Sequence, residues 1–334
     1  MAMDTRIYAT VLHSDHSLQY SLTVAVNILA TPLNLLSFYL ILFKSKREIF
    51  SYKVMLFLSK FAFYIAELHL GVLTGLVTLH PFPGMYSVGL LKNYFSTFTL
   101  CFTWTNLFCL FAYTSFLQLF IRLRVVAKPG KFFDRSNLTY SIVYILLAIY
   151  IFTPLQLLMF IANSSLENMQ QFVRRNYPNN MMVFENPGVF ILTDNVHTDW
   201  IQAIMMILVG SAVILVLVMY LFIKREIRMS ATSRSGRHSH DNQKHLHSSI
   251  LQSLSHVFFL ALAGSLIFKT FFNDPSVDSR ISNAIAFTSL CGASIPYHIL
   301  LIYRNPSYWE FVMEKLNLQT KPPVHRHSNV GMKI

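Results

Sequence analysis

Residues Leu138–Ala162 read LTYSIVYILLAIYIFTPLQLLMFIA, an apolar run of 25 residues without a single charged side chain. An α-helix rises about 1.5 Å per residue, so a run of this length crosses the roughly 30 Å of hydrocarbon in a bilayer. Lipid cannot satisfy backbone donors and acceptors, and a continuous apolar run lacks the alternation of a barrel strand. This stretch therefore predicts a transmembrane helix.

Six further stretches are similarly long, apolar and almost free of charge. Hydrophobic residues make up 54% of the 334-residue chain and charged residues 13%, which is not the composition of a soluble domain. We therefore predict an all-α integral membrane protein with a seven-transmembrane helix bundle. The predicted spans are Tyr20–Phe43, Val54–Leu79, Tyr94–Phe120, Leu138–Ala162, Trp200–Ile223, Ser249–Phe268 and Ile281–Tyr303.

The positions of Lys and Arg predict how the bundle is oriented. If the amino terminus is outside, 20 of the 27 basic residues lie in cytoplasmic segments and only five in outer segments. Basic loops resist translocation, so this distribution favours an outside amino terminus and an inside carboxyl terminus. The predicted domains are an extracellular segment (1–19), the helix domain (20–303) and a cytoplasmic tail (304–334) with a short amphipathic helix over Asn305–Leu316.

The net charge of +12 has the same origin, because a basic inner face is expected of a protein that crosses the bilayer many times. The charge therefore does not indicate nucleic-acid binding, and the partner that the apolar spans predict is the lipid bilayer. The chain lacks a glycine-rich phosphate loop, a His-Glu-x-x-His helix and a Gly-x-Ser-x-Gly turn. We predict no enzyme activity, catalytic residue or cofactor. We also predict no metal site, because the histidines between His238 and His256 lack a framework of Cys or carboxylate ligands.

A few polar side chains lie inside the predicted spans. Glu67 is the ionisable residue farthest from the span ends, and it is either a polar anchor between helices or part of a ligand site or switch. Lys60 and Lys269 are expected within reach of the interfaces. Four more side chains are expected to form interhelical hydrogen bonds: His69, Asn106, Gln118 and His298.

The third span combines hydroxyl and amide groups with many phenylalanines. Thr103, Trp104 and Asn106 are candidate ligand contacts, together with Glu67, because aromatic walls with a few polar groups suit a small, mostly apolar ligand. Plain helix packing is the alternative explanation for the aromatic content. The chain's cysteines all fall inside predicted spans, so the predicted outer loop between Asn163 and Asp199 must be ordered by packing and not by a disulfide.

Several short motifs, spread over almost the whole chain, resemble those of the nematode serpentine chemoreceptors, most closely class H, with class I as neighbour. The motifs are Phe43-Lys44-Ser45-Lys46, Ser51-Tyr52-Lys53, Pro81-Phe82-Pro83-Gly84-Met85-Tyr86-Ser87-Val88-Gly89-Leu90-Leu91, Val189-Phe190-Ile191-Leu192-Thr193-Asp194 and Pro296-Tyr297. The third span ends in Phe120-Ile121-Arg122-Leu123-Arg124, which departs from the acidic-Arg-aromatic triplet of rhodopsin-like receptors.

The resemblance implies a G-protein-coupled receptor of chemosensory neurons, located in the plasma membrane and in the sensory cilium. It would bind a small environmental chemical and activate a heterotrimeric G protein. Arg122, Arg124 and Arg228 are the candidate coupling residues, because they lie on the predicted cytoplasmic side. The alternative is a ligand-gated channel or transporter subunit with seven spans, although the basic residues oppose an inside amino terminus and no internal repeat is visible.

Overall fold

The computed structural model describes residues 17–45, 50–79, 84–127, 133–185, 188–193, 195–231, 255, 258–266 and 280–316. The two ends of the bundle are named here by the groups that they hold. The sheet end holds the short strands described below, and the basic end holds Lys44, Arg124 and Arg304. Several predictions fall outside the described residues: the extracellular segment as far as residue 16, Lys269, the histidines between His238 and His256, and the tail beyond residue 316.

Long helices build almost the whole described structure. They are α1 (Ser17–Tyr39), α2 (Phe50–Leu68), α3 (Thr97–Val126), α4 (Asn137–Ala162), α5 (Leu166–Asn176), α6 (Asn195–Ala231), α7 (residues 258–266), α8 (Arg280–Cys291), α9 (Ser294–Arg304) and α10 (Pro306–Lys315). Short π-helical segments, Leu40–Lys44 and His69–Thr74, extend α1 and α2, and a 3-10 helix covers Pro178–Glu185.

Five helical segments of the described residues are long and apolar enough to cross a membrane: Leu18–Lys44, Phe50–Thr74, Thr97–Val126, Asn137–Ala162 and Ile281–Arg304. They correspond to the first four predicted spans and the seventh. The fifth predicted span, Trp200–Ile223, lies within α6, and the described part of the sixth, Ser255 and residues 258–266, is helical.

The second span was predicted too long. It ends at Thr74, because Gly75 takes a left-handed conformation with φ of 55°. The following residues form strand β1 (Leu76–Leu79), which pairs antiparallel with β2 (Gly84–Ser87). Apolar residues of this strand had been counted as membrane helix, since a short buried run looks alike in both structures.

A third strand, β3 (Phe190–Ile191), completes a small antiparallel sheet in the order β1-β2-β3. Helix α5 packs on this sheet through Met169 and Val173, in one cluster of buried apolar side chains with Val77 and Ile191. This sheet-end cap is ordered without a disulfide, as predicted, because all three cysteines are free. Burial within the cap raises the pKa of Tyr86 to about 12, so the phenol stays neutral.

The segment after β2 closes the cap against the end of the second span. Gly89 donates its backbone N–H to the Thr74 carbonyl at 2.8 Å, and Leu91 donates to the Leu73 carbonyl at 2.8 Å. A β-carbon on Gly89 would lie only 2.5 Å from the Leu73 oxygen and the Thr74 carbon. Only glycine therefore allows this close approach of two backbones.

The basic end is closed by side chains. Helix α10 follows the seventh span, as predicted, but it does not simply lie at the lipid surface. Tyr308 is buried among Leu40, Ile41 and Leu301, and its hydroxyl is hydrogen-bonded to the Ser45 hydroxyl. Lys44 adds a cation–π contact, with Nζ 4.3 Å from the centre of the Phe311 ring.

Candidate functional site

A polar band runs through the bundle between α1, the second span and the seventh span. The seventh span breaks at Gly292 and Ala293, where α8 ends and α9 begins. The Ser294 N–H is therefore free of the helix ladder and donates to Glu67 Oε1 at 2.8 Å. Glu67 is 3% exposed. The candidate carboxylate thus anchors the second span to the break in the seventh.

The band continues along α1 through two asparagines. Asn34 Nδ2 donates to the Ser294 hydroxyl at 3.3 Å, and Asn34 Oδ1 lies 2.7 Å from His298 Nε2. About two helical turns further toward the sheet end, Asn27 packs directly against Gly71, where a β-carbon would lie 2.2 Å from Asn27 Nδ2. Asn27 and Asn34 were missed from the sequence, although their spacing of seven residues in an apolar run places them on one helix face.

Lys60 corrects a prediction. It was expected to reach an interface, but it is 6% exposed and its Nζ lies 3.3 Å from the centre of the Tyr297 ring. Lys60 is ten residues after Phe50, the start of α2. That corresponds to about 15 Å along the helix axis, beyond the reach of a lysine side chain. The ammonium group therefore stays inside the bundle.

The candidate contacts of the third span do not converge on one point. Trp104 packs against the cluster of Leu70, Cys101 and Cys291, close to the polar band. Thr103 is exposed, and its hydroxyl donates to the Thr99 carbonyl at 2.9 Å. The structure thus brings Trp104 toward Glu67 and leaves Thr103 on another face of α3.

Asn106 takes part in a contact that sequence reasoning did not identify. Gln156 Nε2 of α4 donates to Asn106 Oδ1 at 2.5 Å, and Asn106 Nδ2 donates to the Phe102 carbonyl at 2.8 Å. The amide pair joins α3 to α4, so the predicted interhelical hydrogen bond of Asn106 is present. Gln156 is polar within a strongly apolar span, and this was the sequence signal from which the contact could have been found.

The other predicted interhelical hydrogen bonds are present in two cases of three. Gln118 Nε2 donates to the Tyr52 hydroxyl at 2.9 Å, and His298 contacts Asn34. The prediction for His69 was wrong, because His69 Nδ1 lies 3.0 Å from the Thr74 hydroxyl of the same π-helical segment. The π-helical turn widens the helix and lets a side chain reach its own later turn.

The candidate coupling residues lie at the basic end in different settings. The Arg122 guanidinium lies 4.7 Å from the centre of the buried Tyr52 ring, and Arg122 is half-buried. Arg124 is exposed, stacks 5.1 Å from the Tyr140 ring centre and donates to Asn137 Oδ1. Arg228 is exposed near the end of α6. The structure places these three arginines at the same end of the bundle.

Five segments of the described residues are apolar enough to cross a membrane, and together with the buried polar band they define a multi-pass membrane protein. The family model "Serpentine type 7TM GPCR chemoreceptor Srh" matches residues 13–318. The chain belongs to this family, which is a family of receptors and not a class of enzymes. No curated protein and no solved structure gave a significant match to the chain.

Proposed function

We propose that this chain is a chemosensory receptor that binds a small environmental chemical inside the helix bundle and activates a heterotrimeric G protein at the basic end. The observation that carries the proposal is the match to the serpentine chemoreceptor family over residues 13–318. We further propose that the protein lies in the plasma membrane, including that of the sensory cilium.

The proposed orientation puts the amino terminus outside and the basic end in the cytosol. In support, ten of the fifteen described basic residues lie at this end: Lys44, Lys53, Arg122, Arg124, Arg135, Lys224, Arg225, Arg228, Arg304 and Lys315. Such a concentration is expected of the cytoplasmic side. The proposed domains keep their predicted limits: the outer segment 1–19, the helix domain 20–303 and the tail 304–334.

The mechanism that we propose is a population shift. A ligand that binds the open bundle more tightly than the closed bundle moves the equilibrium toward the open state. The shift can be no larger than the difference in the ligand's affinity for the two states. In the open state, the sixth span swings away and the region after Arg228 admits the G protein. Glu67, Thr103, Trp104 and Asn106 are the proposed ligand contacts.

Contacts of Tyr52 give a physical route from the bundle interior to the G protein. Tyr52 accepts a hydrogen bond from Gln118 and lies under the Arg122 guanidinium. Movement of the second span against α3 therefore changes the position of Arg122. Arg124 and Arg228 are exposed and suit direct contact with an acidic surface of the G protein.

The test is charge reversal at the coupling residues. Arg124→Glu and Arg228→Glu in the full chain are expected to lower nucleotide exchange on the G protein at least tenfold, while ligand affinity stays within about twofold. Lys92→Glu, at the exposed sheet end, is the matched control and is expected to have no effect. Equal loss of binding and exchange indicates misfolding. Ligand-gated current without nucleotide exchange supports the channel or transporter alternative.

Orientation has its own test. An epitope at the amino terminus is expected to be labelled on intact cells, and an epitope at the carboxyl terminus only after permeabilisation. Labelling of the carboxyl terminus on intact cells contradicts the receptor proposal.

A further inference from the structure

Lys60 is a buried basic side chain that no acidic residue of the described structure contacts directly. The opposite charge that acts on it at longer range is that of Glu67. Within the described residues, the Lys60 ammonium group makes no hydrogen bond or ion pair. It lies instead over the faces of two aromatic rings. Nζ lies 3.3 Å from the centre of the Tyr297 ring and 5.8 Å from that of Phe111. Rings attract a cation, but less strongly than an anion does in the same low-dielectric surroundings.

Glu67 is the opposite charge that acts on Lys60, but the two side chains are not in direct contact. It lies seven residues after Lys60, about 10 Å along the helix axis. Its Oε1 accepts the Ser294 N–H, and no ion pair joins its carboxylate to Lys60. The two charges thus belong to separate contacts on one helix, Glu67 with the break in the seventh span and Lys60 with the Tyr297 ring.

Burying an ammonium group without an anion costs free energy. Lysines inside a helix bundle are therefore normally paired with another polar or charged group. A carboxylate that reached Nζ would form a charge-assisted hydrogen bond and offset part of this cost. A neutral molecule of the same shape would leave the ammonium unpaired. The position therefore discriminates strongly between an acid and its ester or alcohol.

The surroundings of Lys60 indicate what the rest of such a molecule would contact. A row of aromatic rings runs along α3 from the sheet end toward Lys60. Trp104 and Phe108 have ring centres 5.8 Å apart, Phe108 and Phe111 6.0 Å, and Phe111 also packs on Phe63 at 4.4 Å. Trp104 and Phe108 are half-buried, so part of this apolar row of rings is accessible in the described structure.

We propose that this receptor recognises a small organic acid, with the carboxylate paired to Lys60 and the apolar part against the rings of Phe108 and Phe111. This inference rests on the proposed function, because it names the ligand class of the same bundle. It adds Lys60 to the ligand contacts, a residue that the sequence had placed near an interface.

The position of Tyr297 connects such a ligand to the basic end. Tyr297 belongs to the buried cluster of Tyr52, Leu301 and Tyr308, and the next residue, His298, holds Asn34 of α1. A carboxylate that draws Nζ away from the ring removes a cation–π contact of the seventh span. Lys60 then has the carboxylate as its partner in place of the Tyr297 ring. This exchange gives the acid a different affinity for the two states of the bundle, which is what a population shift requires.

The experiment measures binding to the purified full chain in lipid nanodiscs by thermal unfolding. The probes are straight-chain carboxylates from acetate to decanoate, benzoate and phenylacetate, each beside its methyl ester and alcohol, and sodium chloride as an inorganic anion. At least one carboxylate is expected to raise Tm, while its ester and alcohol do not. K60M is expected to weaken the apparent affinity for that acid about a hundredfold, and K60R less.

The exposed K92M variant is the matched control and is expected to bind like the wild type. K60M is expected to fold, because Met occupies the volume of the lysine methylene chain and removes a buried charge. The proposal is overturned if no carboxylate stabilises the wild type, if chloride alone does so, if esters bind as well as acids, or if K60M keeps its affinity.

Nucleotide exchange on a G protein separates this inference from the proposed function. Acids that bind through Lys60 without changing exchange would contradict the receptor proposal and leave the acid site standing. Activation by a neutral chemical, with no binding of any acid, would do the reverse.

Discussion

The two ends of this bundle are closed by different kinds of contact. At the sheet end, backbone pairs with backbone: Gly89 and Leu91 return their N–H groups to the last turn of the second span, and three strands share a ladder. At the basic end, Tyr308 and Lys44 make contacts through side chains. Backbone ladders fix one geometry, whereas side chains can change rotamer and partner. The comparison indicates a fixed end and an adjustable end.

Breaking the fixed end is expected to have the largest effect. Gly89→Ala places a β-carbon 2.5 Å from backbone atoms of Leu73 and Thr74, which cannot move aside as a side chain would. We expect a loss of about 3 kcal/mol, seen as a lower Tm of the purified protein and less receptor at the cell surface. Gly210→Ala is the control, because nothing lies within 4 Å of its added carbon. Equal Tm values for the two variants would refute the fixed backbone contact.

The polar band between the ends gives the next effect. Glu67→Ala leaves the buried Ser294 N–H without its acceptor, at a cost of about 2 kcal/mol, whereas Glu67→Gln keeps an oxygen at the same place and costs less than half as much. Thermal unfolding and surface expression measure the difference. If both variants match the wild type in stability and in agonist response, neither the anchor nor the switch role of Glu67 survives.

Changing the adjustable end is expected to cost less stability. Tyr308→Phe and Ser45→Ala each remove one partner of a single hydroxyl–hydroxyl hydrogen bond, for about 1 kcal/mol. The double variant is expected to cost clearly less than the sum, because both changes delete the same contact. A strictly additive pair would show that the hydroxyls do not interact. An increase in basal nucleotide exchange in Tyr308→Phe would sharpen the comparison, since loosening an adjustable end favours the open state.

Matched helix caps give the smallest effect and test the comparison directly. Ser96 caps α3 at the sheet end by accepting the Thr99 N–H at 3.2 Å, and Ser136 caps α4 at the basic end by accepting the Thr139 N–H at 3.3 Å. Each Ser→Ala change is expected to cost about 1 kcal/mol or less. Hydrogen exchange in the first helical turn is expected to rise more in Ser136→Ala than in Ser96→Ala. The opposite order would show that the sheet end is not the more firmly held.

The helices were largely predictable from the sequence, because a membrane span is a local property of about 20 residues. The run Leu138–Ala162 appears as α4, which begins one residue earlier and ends at the same residue. Strand β1 was not predictable, since Leu76–Leu79 is as apolar as the helix before it and its pairing partner β2 lies beyond a turn. Gly75 was the local signal for the end of the helix.

The candidate site was predictable in its residue types more than in its contacts. An ionisable residue inside a span, such as Glu67, is conspicuous in a sequence because it is costly there. Its partner is a backbone N–H that becomes available only where the seventh span breaks at Gly292, and no pattern within the second span announces that break. Lys60 was misplaced for the same reason, since Tyr297 is distant along the chain.

The cap at the sheet end holds its shape with all three cysteines of the chain buried and none in a disulfide. Formation of the cap therefore needs neither an oxidising compartment nor a disulfide isomerase. Synthesis in a cell-free extract that contains dithiothreitol, with nanodiscs present from the start, should yield the cap as readily as the secretory pathway does. A thiol reductant can therefore be present throughout purification and ligand binding without loss of the cap.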